Sequence, residues 1–298
     1  MSVAPRVVTV RRPTELEELI ERHGTRGQAA FFLSTRGRRL EEAEERHELQ
    51  AAAIRTVAAA IPVDWRRGSV VRSDVPRFLF EPEDLIVVVG QDGLVANVAK
   101  YLNGQPVLGV NPDPARNPGV LVRHTPEAAA RLLPTLADPR RIESEERTMV
   151  EALVDDGQRI CALNEIFVGP PTHQTARYTI ALADGRSEHQ ASSGVIVSTG
   201  TGATGWCRSA WLERHSSLEL PKPPDASLAW FVREAWPSPA TDTGLTEGCL
   251  SGTRALYLTV ESDRLVAFGD GIEPDAISLA WGQAVQIRIS DKRLRLIR

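Results

Sequence analysis

Apolar and polar positions along the chain fall into two textures. Up to about residue 125, runs that are apolar at every position alternate with amphipathic or charged stretches; beyond it, short runs switch between apolar and polar residue by residue. Side chains of a strand alternate faces, so a run that is apolar throughout must be covered on both sides, as in a parallel sheet between helices. A strictly alternating run buries one face only, as in antiparallel sheet. The chain is therefore expected to be α/β plus all-β, with a parallel-sheet α/β domain over 1–125 and an antiparallel, β-sandwich-like domain over 126–298, whose last strands pack back on the first domain.

In the first half VVTV reads as a strand. Thr14-Glu15-Leu16-Glu17 is a capping box, and His23-Gly24 is its stop. AAFFL (29–33) is expected as a second strand, followed by Arg36, Arg38 and Arg39 and then a long charged helix ending in AAAIRTVAAAI. LIVVV is the third strand. Val95, Val98, Ala99 and Leu102 then fall at helical spacing before Gly104, and PVLGV is the next strand. In the second half ARYTIALADG, ALYLTVES and AVQIRIS alternate, with Ala183-Asp184-Gly185 as a hairpin turn, while 221–239, bearing PKPP and WPSP, reads as a long loop or insertion.

Composition narrows the function classes. With 298 residues and 42% hydrophobic content the chain can bury a core without staples. A net charge of -4 disfavours nucleic acid or an anionic membrane as partner. No apolar run approaches the roughly 20 residues of a membrane span, and the amino terminus lacks a signal-peptide apolar core, so a cytoplasmic protein is expected. Cys161, Cys207 and Cys249 are far apart and have no metal-ligand spacing.

Three segments could carry chemistry. Gly90-Gln91-Asp92-Gly93 follows the third strand. Ligands of parallel α/β sheets bind at such carboxyl ends, where glycines admit a phosphate to the backbone; Asp92 either caps the following helix or projects as a base toward a hydroxyl. Gly200, Gly202 and Gly205 spell GxGxxG, with Glu219 at the distance of a ribose-binding acid. That pattern lies in the antiparallel half without a following crossover unit, so a Gly/Thr loop around a ligand fits better than a dinucleotide fold. Finally, Asn164-Glu165 are adjacent polar residues between apolar ones: one points inward, or a strand ends there. Such a pair can hold the vicinal hydroxyls of a ribose.

In this order the three segments resemble the NAD kinase family, which has a Gly-Gly-Asp-Gly-Thr turn, an Asn-Glu pair and a Ser-Thr-x-Thr-Gly loop. Here they read Gly90-Gln91-Asp92-Gly93-Leu94, Asn164-Glu165 and Ser198-Thr199-Gly200-Thr201-Gly202. The likeness runs from about Leu85 to the end, and in ALNEIFVG, SSG and TGTG it is closest to the mitochondrial type.

The resemblance implies transfer of the ATP γ-phosphoryl, with Mg2+ on the nucleotide, to the 2'-hydroxyl of the NAD adenosine ribose by a homodimer or homotetramer. It makes Asp92 the catalytic base. Gly90, Gln91, Gly93, Asn164, Glu165, Ser193, Thr199, Gly200, Thr201, Gly202 and Thr204 become binding residues; Arg36 is a further phosphate contact, and no protein metal ligand is expected. Gln91 stands where the family has glycine, Leu94 where it has threonine, and Ser193 where the commoner bacterial members have aspartate. These departures leave open a kinase for another hydroxyl acceptor or a non-catalytic NAD(P) sensor.

Overall fold

The computed structural model describes residues 5–137 and 142–298. The chain forms two compact units, 1–145 with 295–298 and 146–294.

The first unit is built on parallel strands β1 (Arg6–Arg11), β2 (Arg66–Val71), β3 (Leu85–Val89) and β4 (Pro106–Val110) in the order β2-β1-β3-β4. Arg295 and Leu296 add a parallel pair with Pro106 and Val107. Every residue of β3 is buried, as its unbroken apolar run requires. Leu85, Val87 and Val89 pack with Val57 of α3 (Leu40–Ala60), with Ile61 just beyond its end and with Ala129 of α5 (Pro126–Leu132), while Ile86 and Val88 are fully buried on the opposite face. The first helix, α1 (Glu15–His23), opens on the expected capping box, with Thr14 Oγ1 and the Glu17 carboxylate bonded reciprocally to main-chain N–H groups, and closes at Gly24.

One expectation fails here, and one strand was not anticipated. The segment 29–33 lies in a helix, α2 (Arg26–Ser34), capped by the Thr25 hydroxyl. Ala29 and Leu33, one turn apart, join Leu19, Leu40 and Ala43 in a small cluster, so helical rather than strand spacing places its buried residues on one side. The strand beside β1 is instead RRGSVV, whose exposed arginines mask it: β2 lies at the sheet edge, where one face and one border meet solvent.

In the second unit two antiparallel sheets enclose one core. One contains β16 (Ala284–Ile297), β13 (Leu256–Val260), β8 (Ala176–Leu182) and β9 (Ser187–Ser192) in that order, with β5 (Ser144–Val154) pairing β16 and β6 (Arg159–Ala162). The other runs β12 (Glu247–Ser251), β11 (Ser227–Arg233), β10 (Gly194–Thr199), β7 (Glu165–Gly169), β14 (Arg264–Gly269), β15 (Ile272–Ala280). Alternate residues such as Ile166 and Val168, Val195 and Val197, and Ile180 with Leu256 and Leu258 fill the core. Gly185 makes the β8–β9 turn, at φ 90. The segment 221–239 is not a loop throughout: it contains β11, whose Leu228, Trp230 and Val232 enter the core. Its flanking prolines obscured a strand that is paired on both sides.

Candidate active site

At the carboxyl ends of β3 and β4 the chain leaves the sheet twice in close register, and Gly90 N–H donates to Val110 O at 3.0 Å. α4 (Asp92–Ala99) begins at Asp92 itself, and Gln91 occupies its cap position without a side-chain capping bond. Asp92 is therefore not the cap. Its carboxylate instead accepts three successive main-chain N–H groups from the loop after β4: Leu121 at 2.7 Å and Val122 at 3.0 Å on Oδ1, and Val120 at 2.9 Å on Oδ2. Oδ1 thus takes two amides and Oδ2 one.

That loop is fixed from below as well. A Cβ on Gly109 would lie 2.1 Å from Leu121 O, so a glycine in β4 is what lets the loop cross the strand. Asn111 Nδ2 donates to Asn117 O at 2.8 Å, and Arg116 bonds both Asp113 and Glu45 of α3. Gln91 is exposed, and its Nε2 donates to Asn117 Oδ1 at 3.3 Å. Leu94 is buried against Gly90, where it anchors α4 instead of offering a hydroxyl.

Arg36 follows α2. Its guanidinium lies over the Phe32 ring at 3.8 Å and donates to Phe32 O and Thr35 Oγ1, while Arg38 pairs with Glu15 at 2.6 Å and Arg39 with Glu42 at 3.9 Å. All three arginines have partners within their own helical cluster.

In the second unit the Asn164-Glu165 question resolves as a strand end: β6 stops at Ala162, β7 starts at Glu165, and Leu163-Asn164 form the corner between them. This corner is tied to the Gly/Thr turn after β10. Asn164 O accepts Thr199 N at 2.9 Å and Ser198 Oγ at 3.1 Å; Thr199 Oγ1 donates to Leu163 O and accepts Thr201 N and Gly202 N. A Cβ on Gly202 would lie 2.3 Å from Asn164 O. Gly200 similarly abuts Lys222. The Thr201 hydroxyl is buried and has no hydrogen-bond partner among the described residues, whereas Thr204 Oγ1 donates to Thr201 O at 3.1 Å. Ser193, which bonds Arg233 O through its main chain, lies at the other end of β10, about 20 Å from Thr199 along the strand.

Glu165 is partly buried on the face opposite the core, and burial pushes its carboxyl from 4.5 up to about 7, with Asp270 adding a like charge. Phe167, two residues on and on the same face, stacks with Trp206 at 5.4 Å and meets Phe268 at 5.1 Å. Arg233 lies over the Trp206 indole at 5.3 Å. Trp206 opens α6 (Trp206–Glu213), whose buried Cys207 joins Ala229 and Phe231 behind it. β10 pairs antiparallel with both β7 and β11, so the glycine pattern after it serves no dinucleotide-fold crossover.

Sequence reasoning passed over three contributors: the 120–122 amides, Trp206 and Asp270. The amides carry no side-chain signal. Trp206 directly follows the glycine-rich turn, and Asp270 sits between two glycines, as Asp92 nearly does.

The fold is similar to that of an NAD kinase from Archaeoglobus fulgidus solved in complex with ATP, with a TM-score of 0.56 over 98% of this chain and 93% of that one at 18% identity. In sequence, the NAD kinase of Caldicellulosiruptor saccharolyticus is 25% identical over 238 residues, 79% of this chain and 83% of that protein. The NAD kinase of Heliobacterium modesticaldum is 35% identical over 190 residues, 58% of this chain and 64% of its own length. The chain is a relative of the NAD kinases.

Several other curated NAD kinases are matched over about half of their own length. No protein-family model matches the chain. Among the described residues no helix is long and apolar enough to cross a membrane, and no group of three or more His, Cys, Asp or Glu is placed to hold a metal ion.

Proposed function

We propose that this protein is an ATP-dependent NAD kinase that makes NADP. The observation that carries this reading is the carboxylate at the β3 carboxyl end, held in place by three main-chain N–H groups, in a relative of the NAD kinases. Oδ2 of Asp92, with one amide partner, is the oxygen that accepts the proton of the attacking 2'-hydroxyl. The hydroxyl oxygen forms a bond to the γ-phosphorus, the bond from that phosphorus to the β–γ bridging oxygen breaks, and ADP leaves. Mg2+ would come with ATP rather than be held by side chains of this protein, and would supply charge neutralisation of the phosphates.

Glycines at Gly90 and Gly93 leave the main chain open to phosphate, and Gln91 offers an amide donor there. The Asn164–Glu165 corner takes ribose hydroxyls, Asn164 donating and Glu165 accepting. The buried Thr201 hydroxyl, with Thr199, Thr204 and the main-chain groups of Gly200 and Gly202, takes the adenosine end. Ser193 serves a distant part of the extended dinucleotide, and Arg36 serves phosphate once it leaves Phe32. A homodimer or homotetramer in the cytoplasm completes the reading, and sedimentation of the purified protein tests the assembly.

The Gln91–Asn117 bond favours a second reading, a sensor that binds NAD or NADP without turnover, because it places side chains where the family has a bare glycine. The deciding experiment is NADP formation from NAD, ATP and Mg2+, read with an NADP-specific coupled dehydrogenase. Product that disappears in Asp92→Asn supports the kinase. Tight NAD binding without product supports the sensor, and neither would send the search to another acceptor.

A further inference from the structure

The turn between β14 and β15 reaches the Asn164–Glu165 corner from below. Asp270 in that turn has φ 55, a left-handed conformation that few non-glycine residues adopt and that aspartate tolerates better than most. Its Oδ2 accepts Leu163 N at 2.9 Å and its Oδ1 accepts Asn164 N at 2.6 Å, while its own N–H donates to Glu165 O at 3.0 Å. One residue thus bonds the main chain of three successive residues. Gly269 makes the approach feasible, since a Cβ there would lie 2.8 Å from the Ala162 Cβ.

We propose that Asp270 is the positioning residue of this corner: its carboxylate and main-chain N–H, bonded to three successive residues, aim Asn164 and Glu165 at the dinucleotide. The proposal rests on the NAD-binding reading only for the identity of the ligand. Burial raises the Glu165 carboxyl most, and the like charge on Asp270 delays its ionisation further. The Cys207 thiol of α6 is near enough to feel the charge of Glu165, but burial pushes it up to about 11 and so keeps it neutral. The neighbour of Glu165 across from β10 is Ser198, and β14 presents Phe268.

Because a ribose hydroxyl donates to an ionised carboxylate, capture of NAD strengthens as pH rises through about 7. A carboxylate serving only to hold the turn would leave that midpoint unmoved when its charge is removed.

The test begins without ligand, by 13C NMR titration of the Glu165 side-chain carboxyl and by amide exchange at Leu163 and Asn164, in the wild type, Asp270→Asn and Asp270→Glu. In Asp270→Asn the Glu165 midpoint is expected to move toward acid and the two amides to exchange faster. Asp270→Glu keeps the charge but lengthens the arm, so it should retain the midpoint and lose the amide protection; it also carries the test should Asp270→Asn not fold.

Calorimetry with NAD from about pH 5 to about pH 9 then follows. Asp270→Asn should bind about tenfold more weakly, the loss expected for hydrogen bonds to a charged group, with its pH midpoint displaced in step with the NMR value. An unmoved Glu165 midpoint together with unchanged amide exchange would overturn the proposal. If the NMR changes appear while no variant, nor the wild type, binds NAD, the positioning role stands and the dinucleotide reading falls.

Discussion

Asp92 Oδ1 accepts the main-chain N–H of Leu121 at 2.7 Å, joining the turn after β3 to the loop after β4. With Val120 and Val122 it forms a ring of three amides around one carboxylate, a concavity that in other settings holds a phosphate or other anion. Asp92 is thereby fixed in place before any substrate arrives, which is what a general base in phosphoryl transfer requires, because positioning supplies most of the catalysis.

Replacement of Asp92 by Asn should therefore act on chemistry more than on folding. The amide oxygen can still accept two N–H groups, while its NH2 group faces Val120 N. Turnover should fall roughly 100- to 10,000-fold, the usual cost of removing a general base. A small drop in melting temperature is expected beside it. Steady-state NADP formation and a thermal melt on the same preparation check both; a fully active variant would sink the assignment.

Gln91→Gly tests the departure from the family turn. The Gln91 amide reaches Asn117 at 3.3 Å, a long bond whose loss should leave stability almost unchanged. Removing the amide donor should raise the KM for ATP by about tenfold, the worth of one charge-assisted hydrogen bond to phosphate, if the wild type is a kinase, whereas opening the turn should restore product if it is a sensor. An ATP titration of initial rate distinguishes these from a variant with unaltered kinetics, which would make Gln91 irrelevant to the donor.

At Gly109 the prediction is steric. An added Cβ would sit 2.1 Å from Leu121 O and 2.8 Å from Val122 Cα, both main-chain atoms that cannot swing aside. Gly109→Ala should destabilise the protein by about 1–3 kcal/mol, as overpacking does. It should also lower turnover in parallel, because the displaced loop takes the Asp92 donors with it. Denaturant unfolding and kcat measured together would show the coupling; a stable, fully active variant would mean that the loop does not position Asp92.

How much of this was legible in the sequence depended on whether a residue's role left a local pattern. β3 was readable because burial on both faces forces an unbroken apolar run, and α1 because a capping box is a local exchange of hydrogen bonds. The segment 29–33 misled, since five apolar residues suit a buried strand or a short helix equally, and only the cluster with Leu19 and Ala43 decides. β2 was hidden because an edge strand keeps its arginines in water. In the candidate site the Asn164–Glu165 corner and the Gly/Thr turn could be found separately, but their bonding through Thr199 and Gly202 is a long-range fact. The same holds for the 120–122 amides around Asp92, where any residue but proline would provide the N–H.

The burial of Glu165 has a consequence for stability that is independent of any ligand. Its carboxyl lies at about 7 in the folded protein against an ordinary 4.5, so the native state holds a proton that the unfolded chain has released. A group raised in this way contributes stability that is fully present below 4.5 and is lost as pH rises through about 7. The loss is on the order of 3 kcal/mol between those limits. Glu165→Gln, which stays neutral throughout, should be comparable to the wild type in acid and the more stable of the two above neutrality. Chemical denaturation of both proteins at a series of pH values reads the difference directly: the gap should open across this window and stay constant beyond it. A gap that is the same in acid and in base would show that Glu165 ionises as freely in the folded protein as in the unfolded chain, and would remove the acid pair with Asp270 from the description of this corner.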